Sequence, residues 1–350
     1  MSFLVYGATG YTGNLVAERA KALGMTPTLA GRNREKTRAL AERLGFPWRA
    51  FSLDDRAALD AALAGMDVVL HIAGPFSATS KPMADACLRT GTHYLDITGE
   101  IAVFEALAAR DEEARAAGVM LLPGCGFDVV PSDCLAAHMK RRLPDAVALD
   151  LAIMGLGFGK ASRGTAKTAI EGLAHGRLAR RGGRIVNLPR PLEKRFRFPD
   201  GERQGIVVSW GDVSTAWHST GIPDITVFFE ATGPLRQLAY MNPLMRWIFS
   251  TGPGQAYLKR QVDKRPPGPS EEDRRRGHAE LLGVVRNREG VEKRALLRTP
   301  EGYTLTAMTT LEIVRRVEDG AARSGFQTPS RLFGPDFILE FDGCTRTDLD

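Results

Sequence analysis

The chain has 350 residues, of which 43% are hydrophobic and 25% charged, and its 47 Lys and Arg against 41 Asp and Glu give a net charge of +6. These proportions are typical of a folded globular protein and exclude wholesale disorder and a collagen-like repeat. Cys87, Cys125, Cys134 and Cys344 form no C-x-x-C pair and no metal-ligand spacing with histidine. We therefore predict neither a disulfide scaffold nor a metal site.

The sequence predicts a soluble, cytoplasmic protein. No Lys or Arg precedes Arg19, so the basic region of a signal peptide is missing. No apolar run approaches the roughly 20 residues that a membrane-spanning helix needs. A charge of +6 over this length, with basic runs that lack interleaved aromatic residues, does not predict nucleic-acid binding.

The first part of the chain alternates short apolar strands with helical patterns. Predicted strands cover residues 3–6, 28–30, 48–53, 67–72, 93–97 and 119–122. Predicted helices cover residues 14–23, 35–44, 56–64, 80–90 and 101–117. Such alternation indicates βαβ units and a parallel sheet. The fold class is therefore α/β, with a Rossmann-type doubly wound domain over residues 1–146.

The pattern changes after about residue 145. Predicted strands cover 148–154, 206–210, 225–231, 281–286 and 293–298. Predicted helices cover 165–175, 305–318 and 335–341, and the proline- and charge-rich residues 264–276 are predicted as an exposed loop. A turn at 287–290 joins two of the strands and favours antiparallel pairing. We predict a second, α+β domain of mixed or antiparallel sheet over residues 147–325, which binds a substrate or a partner.

The strongest local motif is the glycine-rich loop Gly-Ala-Thr-Gly-Tyr-Thr-Gly between the first strand and the first helix. Such a turn needs glycine for its tight bend, for close approach to a pyrophosphate and for packing of the helix on the strand. The helix N-terminus offers backbone N–H groups to the phosphates. The alternative is a glycine turn without a ligand. The predicted dinucleotide-binding residues are Gly7, Thr9, Gly10, Tyr11, Thr12 and Gly13.

The end of the second strand favours NADP(H) over NAD. NAD sites usually carry an Asp or Glu roughly 20 residues after the glycines, whereas this chain has Arg32 and Asn33 there. A guanidinium pairs with a phosphate through two parallel hydrogen bonds. We predict that Arg32 binds the 2′-phosphate, assisted by Asn33, Arg34 or Lys36; the alternative is a surface arginine that begins a helix.

Two common catalytic arrangements are missing from the sequence. None of the six tyrosines is followed four residues later by Lys, which excludes the proton-transfer pair of short-chain dehydrogenases. The chain also lacks the G-x-S-x-G motif of a hydrolase nucleophile.

Three further motifs accompany the glycine-rich loop in a fixed order: AGPF at 73–76, GTHYLDITGE at 91–100 and PGCGFDVVPSD at 123–133. Together they resemble the saccharopine dehydrogenase-like oxidoreductases, most of all the branch that contains trans-acting enoyl reductases. The resemblance is sharp only in residues 1–133. It implies that a C-terminal tail, 326–350, returns to the first domain. It also implies an NADPH-dependent reductase of a C=C, C=N or C=O group, with an enoyl lipid or polyketide substrate favoured.

These motifs follow predicted parallel strands, and ligands in open α/β sheets bind beyond the carboxyl ends of the strands. For Cys125, which lies between two glycines, the alternative is a small buried filler. The further predicted cofactor contacts are Ala73, Gly74, Pro75, Phe76 and Cys125.

Hydride transfer leaves negative charge on the acceptor, which a proton donor must neutralise. The candidate catalytic residues are Asp128, Tyr94 and Glu100. Each has a structural alternative: Asp128 as a helix cap, Tyr94 as a packing residue, and Glu100 as the cap of the helix 101–117. The lack of an obvious acid–base pair keeps a second function open, that of a non-catalytic NADP(H)-binding regulator.

Residues 235–258 are the most apolar stretch of the second domain, with hydrophobic residues at helical spacings of three and four. One interpretation is a helix packed on the sheet or at the seam of a homodimer. The other is a mobile lid over a lipophilic or acyl substrate, in peripheral contact with a membrane through the basic segment that follows.

Overall fold

The computed structural model describes residues 2–155, 161–172 and 176–349. The chain divides into two compact units: unit 1 is Met1–Val130 with Tyr303–Phe333, and unit 2 is Pro131–Gly302 with Gly334–Asp350. Across the described ranges no helix is long and apolar enough to cross a membrane.

Unit 1 is built on a sheet of seven parallel strands flanked by helices. Its strands are β1 (Phe3–Tyr6), β2 (Thr28–Gly31), β3 (Trp48–Ala50), β4 (Val68–His71), β5 (His93–Asp96), β6 (Met120–Leu122) and β15 (Gly325–Phe326). Its helices are α1 (Tyr11–Ala22), α2 (Arg34–Leu44), α3 (Arg56–Leu63), α4 (Phe76–Thr90), α5 (Ile101–Ala108), α6 (Asp111–Ala116), α14 (Gly302–Arg316) and α15 (Pro329–Phe333).

The strand order of this sheet is β15-β6-β5-β4-β1-β2-β3. Six of the strands therefore have the doubly wound order 3-2-1-4-5-6, in which the chain reverses direction across the sheet between β1 and β4. Every residue of β1 and β4 is buried, as expected for apolar strands with both faces of the sheet covered. The predicted α/β class and Rossmann-type sheet are confirmed.

Unit 2 is built on a mixed sheet. Its strands are β7 (Ala148–Met154), β8 (Leu178–Arg181), β9 (Arg184–Asn187), β10 (Glu193–Phe198), β11 (Gly201–Val207), β12 (Asp224–Glu230), β13 (His278–Arg286), β14 (Glu292–Pro300) and β16 (Thr345–Leu349). Its helices are α7 (Val130–Arg142), α8 (Arg163–Gly172), α9 (Asp212–Thr220), α10 (Gly233–Ala239), α11 (Pro243–Ser250), α12 (Gly252–Asp263) and α13 (Glu271–Arg276). Seven strands follow the order β10-β11-β12-β7-β13-β14-β16, and the β8–β9 hairpin pairs with β12. The β7–β12 pair is parallel and its neighbours are antiparallel.

The observed division differs from the predicted boundaries of 1–146, 147–325 and 326–350. Unit 2 begins at Pro131 because α7 packs beneath β13, where a Cβ on Gly283 would lie 3.0 Å from Met139. Only part of the predicted tail lies in unit 1, since β15 pairs with β6 whereas β16 pairs with β14 of the second sheet.

Several predicted elements change at their ends. The helix predicted over 101–117 is two helices, α5 and α6, and α4 begins at Phe76 rather than at residue 80. The predicted loop 264–276 contains α13, whose N-terminus has a capping box between Ser270 and Asp273. The helix predicted over 165–175 is observed as α8, and residues 173–175 lie outside the described residues. Instead of a helix over 335–341, the structure has a short 3₁₀ turn, Phe337–Glu340.

Candidate cofactor and active site

The glycine-rich loop of unit 1 is shaped by close backbone contacts. Gly7 has a φ of +90°, and a Cβ there would lie 2.8 Å from the backbone nitrogen of Ala73. A Cβ on Gly13 would collide with the carbonyl oxygen of Gly7 and would lie 2.7 Å from Cα of Ala8. The Gly10 N–H donates to the Gly7 carbonyl oxygen at 3.0 Å. The glycine-rich loop therefore requires glycine at positions 7 and 13. Through Gly7 it packs against the loop that follows β4.

The N-terminus of α1 fits an anionic ligand. Among the described residues no side chain caps this end, and its first turn holds no acidic residue. Helix N-termini of this kind attract phosphate through their N–H groups and the helix dipole. The Tyr11 ring lies edge-on to the Tyr303 ring of α14, with centroids 5.0 Å apart, and Thr9 lies close to Gly31 at the end of β2.

The residues after β2 have distinct roles. The Asn33 side chain caps α2 by accepting from the Lys36 N–H at 2.9 Å. The Arg34 guanidinium lies 5.2 Å from the centre of the Trp48 ring. Arg32 and Lys36 are exposed at this end of the sheet. The geometry thus gives Asn33 a helix-capping role and leaves Arg32 exposed beside the glycine-rich loop.

The loop after β4, residues 73–76, is fixed by two neighbours. The Glu100 carboxylate accepts from the backbone N–H groups of Phe76 and Ser77, both at 2.8 Å, and so caps α4. Glu100 occupies the N-cap position of α5, where the alternative prediction placed it, but its side chain makes no capping hydrogen bond to that helix. Because both carboxylate oxygens hold backbone, Glu100 is a positioning residue rather than a proton donor.

His71 supports the same loop from the core. Burial lowers the pKa of His71 to about 3, so the imidazole is neutral. Its Nε2 lies 2.9 Å from Thr79 Oγ1, which donates in turn to the Ala73 carbonyl oxygen at 2.7 Å. With the proton on Nε2, His71 donates to Thr79 and completes this chain of hydrogen bonds. The chain links the end of β4 to the Ala73 backbone, which lies against Gly7.

Tyr94 belongs to a buried network around Asp96. The Tyr94 hydroxyl donates to Asp96 Oδ2 at 2.6 Å, while the Thr98 and Gly124 N–H groups donate to Oδ1 at 2.9 Å. Burial, with a smaller contribution from the charge of Glu100, raises the pKa of Asp96 to about 6. Burial, together with the neighbouring Asp96 carboxyl, raises the pKa of Tyr94 well above its usual value. Tyr94 has no solvent exposure, so the predicted proton donor is a packing and positioning residue.

Cys125 also lies in the core. Its thiol donates to the Leu122 carbonyl oxygen at 3.2 Å, and burial raises its pKa well above the usual value. Its backbone N–H donates to the Asp96 carbonyl oxygen at 2.7 Å. The side chain has no exposed surface, which corrects the predicted contact between this thiol and a cofactor.

Asp128, like Glu100, keeps partial solvent exposure. Its carboxylate packs on Gly99, where a Cβ would lie only 3.0 Å from Oδ2. Burial, followed by the negative charge of Glu100, raises the pKa of Asp128 to about 7. A carboxyl group with such a pKa is protonated in about half of the molecules at neutral pH and suits general acid catalysis.

Helix α14 contributes residues that the sequence interpretation missed. Thr306 Oγ1 accepts from the Phe127 N–H at 3.0 Å, and Thr309 Oγ1 donates to the Cys125 carbonyl oxygen at 2.7 Å. These threonines hold the loop that carries Asp128. The only sequence signal for them is the density of threonine in a predicted amphipathic helix, since the partners lie about 180 residues apart.

The strand order, the glycine-rich loop and the uncapped α1 define unit 1 as a dinucleotide-binding domain of Rossmann type. Residues 3–122 match the saccharopine dehydrogenase NADP binding domain family. The predicted resemblance of this segment to that family and the predicted NADP(H) cofactor are confirmed.

The relatives found by sequence match less than half of the chain. A trans-acting enoyl reductase of Mycobacterium leprae is 34% identical over 148 residues, which is 40% of this chain and 35% of the relative. Its counterpart in Mycobacterium tuberculosis H37Rv is 33% identical over 147 residues, again 40% and 35%. The match thus spans about a third of the length of these relatives.

Two solved structures share the fold of the whole chain. Apo saccharopine dehydrogenase (L-Glu forming) of Saccharomyces cerevisiae has a TM-score of 0.64 at 14% identity, with all of both chains covered. The homospermidine synthase of Legionella pneumophila, in complex with NAD, has a TM-score of 0.63 at 10% identity and covers 99% of this chain and 91% of its own. At these identities the similarity is one of fold.

Proposed function

We propose that this protein is an NADPH-dependent reductase that transfers hydride to a C=C, C=N or C=O group, with Asp128 as the proton donor. The observation that carries the proposal is the partly exposed Asp128 carboxyl, with its pKa raised to about 7, beyond the same sheet edge as the glycine-rich loop. The names of the matched relatives agree with this class of activity.

The order of the strands supports a direction for the cofactor. Dinucleotides cross the sheet where the strand order reverses, with the pyrophosphate at the first helix, here α1. Arg32 lies at the end of β2, on the side suited to a 2′-phosphate. The nicotinamide half would then extend over β4, β5 and β6. From β2 to β6 is four strand spacings, or about 19 Å, which suits an extended dinucleotide.

The chemistry divides between the cofactor and the chain. Bound NADPH supplies the hydride. Asp128 gives its carboxyl proton to the atom of the double bond that does not receive the hydride, and it becomes a carboxylate. Burial is the main cause of the raised pKa of Asp128, and Glu100 acts through Asp128 because its negative charge raises this pKa as well.

The names of the matched relatives favour an enoyl group as the acceptor, and the resemblance seen in the sequence favours a lipid or polyketide that carries it. Because these names give no substrate, the panel of acceptors must include imines and ketones beside enoyl thioesters. The four cysteines are buried free thiols, which suits a reducing compartment and supports the cytoplasm as the place of action.

The test is NADPH oxidation by the wild type and by Asp128→Asn over this panel of acceptors. For Asp128→Asn we expect turnover to fall by about 100-fold or more, with the Kd for NADPH within about threefold of wild type. The wild-type rate should fall as the pH rises above about 7, because the carboxyl loses its proton. Asp55→Asn, which preserves the cap of α3, is the matched control.

Two outcomes contradict the proposal. If Asp128→Asn keeps turnover within a few-fold and only lowers Tm, Asp128 is a structural residue. If the wild type binds NADPH tightly and reduces none of the acceptors, the protein is an NADP(H)-binding regulator.

A further inference from the structure

The most exposed apolar surface of the described chain lies in unit 2. Ten large hydrophobic side chains of the described residues are exposed, and six of them fall within 18 successive positions. Trp247 is 66% exposed and Leu244 62%. We call residues 240–257 the apolar elbow. Its exposed members are Tyr240, Leu244, Met245, Trp247, Ile248 and Tyr257.

The elbow is an ordered feature with defined helix ends. Asn242 caps α11 by accepting from the Leu244 N–H at 2.8 Å, and Thr251 caps α12 by accepting from the Gly254 N–H at 3.3 Å. A Cβ on Gly254 would collide with the Ile248 carbonyl oxygen. The two helices therefore meet in a tight turn, and their exposed side chains belong to one local structure.

Helix α12 is anchored to the rest of unit 2 by other residues. Lys259 donates to Glu171 of α8 at 2.5 Å, Lys167 pairs with Asp263 at 2.6 Å, and Val262 is buried. Because these contacts use the far end of α12, the exposed hydrophobic side chains of α11 are left over by the packing of the unit. Burying such surface elsewhere would be favourable.

The elbow lies in a basic part of the sequence. Residues 231–270 contain six Lys or Arg and a single acidic residue, Asp263, which gives this segment a net charge of +5. Arg236 and Lys259 pair with Glu193 and Glu171 outside the segment. Arg260, Lys264 and Arg265 are exposed. An apolar face bordered by cations complements a surface that is apolar below and anionic above.

We propose that the apolar elbow docks onto an anionic lipid surface. Trp247, Leu244 and Ile248 would enter the interfacial region, where an indole satisfies both its apolar ring and its N–H, while the basic residues lie over anionic headgroups. A second copy of the chain is a poorer occupant, because it would bring one +5 segment against another. The proposal does not depend on the proposed reductase activity.

The test is co-sedimentation of the full chain with vesicles of phosphatidylcholine and with vesicles of phosphatidylcholine mixed with phosphatidylglycerol. We expect binding to the anionic vesicles at low salt and weak binding to the neutral ones, with a blue shift of Trp247 fluorescence. Binding should weaken as salt is raised, because the Debye length shortens. The triple variant Leu244→Ser, Trp247→Ser, Ile248→Ser should reduce the partition coefficient by more than tenfold.

Matched variants distinguish vesicle binding through the apolar elbow from nonspecific hydrophobic binding. Leu192→Ser, Val291→Ser and Leu339→Ser together change three exposed apolar residues outside the elbow and should leave binding unchanged. Arg260→Gln, Lys264→Gln and Arg265→Gln together should weaken binding to anionic vesicles by more than tenfold, since each cation near the surface contributes about fivefold. Because the substituted residues are exposed, Tm should stay unchanged, and measuring Tm verifies that each variant folds.

The proposal is overturned if the wild type fails to bind anionic vesicles at low salt. It is also overturned if the elbow variant binds them as well as wild type does. A change of oligomeric state in the elbow variant, without any vesicle binding by wild type, would assign the surface to a second copy instead.

Discussion

The two units differ in where their polar side chains lie. In unit 1 polar groups collect at the carboxyl ends of parallel strands, where Asp96 and Glu100 accept from backbone N–H groups of neighbouring loops and His71 contacts the Thr79 hydroxyl. In unit 2 charged side chains pair across the sheet itself, as where Arg203 and Arg298 both donate to Glu280, at 2.6 and 2.7 Å.

The difference follows from strand direction. A parallel sheet places the carboxyl ends of all its strands at one edge, so loops distant in sequence meet there. A mixed sheet distributes its loops over both edges, and its strands carry polar residues on an open face. Chemistry that needs several convergent groups is therefore expected in unit 1, whereas unit 2 is suited to recognition through its surface.

The largest effect is expected when one methyl group is added to the glycine-rich loop of unit 1. Gly13→Ala would place a Cβ against the Gly7 carbonyl oxygen, and the loop must shift to relieve this contact. Since overpacking costs about 1–3 kcal/mol and the shifted loop also loses its fit to phosphate, we expect NADPH affinity to fall by about 100-fold. Fluorescence titration of NADPH measures this.

The matched control for that variant is Gly172→Ala in α8 of unit 2, where a Cβ would meet nothing within 4 Å. It should bind NADPH as wild type does. If Gly13→Ala also binds within threefold of wild type, the glycine-rich loop is not the pyrophosphate site.

The next largest effect concerns the other end of the predicted cofactor. Arg32→Ala should weaken NADPH binding by about 10- to 150-fold, the usual value of a charged hydrogen-bonded contact, and should change NADH binding little. The control is Arg38→Ala, which removes an arginine of α2 that pairs with Glu42. Equal affinity of the wild type for NADPH and NADH would contradict the prediction.

A smaller effect tests the coupling between carboxylates at the same edge. The raised pKa of Asp128 means that its stabilising contribution is complete below about pH 4 and is lost as the pH rises through about 7. Glu100→Gln removes a negative charge that raises this pKa, so the loss should occur at lower pH. Urea unfolding between pH 4 and pH 8 measures the change.

Glu112→Gln, an exposed position of α6, serves as the control for removal of one negative charge. Identical pH profiles of wild type and Glu100→Gln would show that Glu100 does not influence Asp128. In Glu100→Gln, weaker capping of α4 should also lower the free energy of unfolding at every pH by about 1 kcal/mol.

The smallest effect on turnover is expected for Tyr94→Phe, because its hydroxyl is buried on Asp96. Turnover should stay within a few-fold of wild type, while the free energy of unfolding falls by about 1–3 kcal/mol through loss of one donor to a buried carboxyl. The loss should be larger at pH 8 than at pH 5, since Asp96, with a pKa of about 6, is then charged. A 100-fold drop in turnover with normal stability would restore Tyr94 as the proton donor.

The sequence by itself determined the parallel sheet and the glycine-rich loop, and it predicted a preference for NADP(H). Each depends on local chemistry: apolar runs of four residues make buried strands, and glycine spacing makes a turn that fits a phosphate. The boundaries of α4 and the division of residues 101–116 into two helices were less well predicted, since helix ends depend on the caps that neighbours provide. Glu100 shows this directly, because it caps α4, which begins 24 residues earlier.

Only the tertiary structure decided which polar residues could act. Tyr94 and Asp128 were both candidate proton donors in the sequence, and burial separated them by closing Tyr94 into the core while Asp128 kept partial exposure. Helix α14 reached the site through hydrogen bonds across 179 and 184 residues. Burial and long-range pairing are properties of the packed chain, because each depends on which distant elements cover a residue, and no local pattern encodes that.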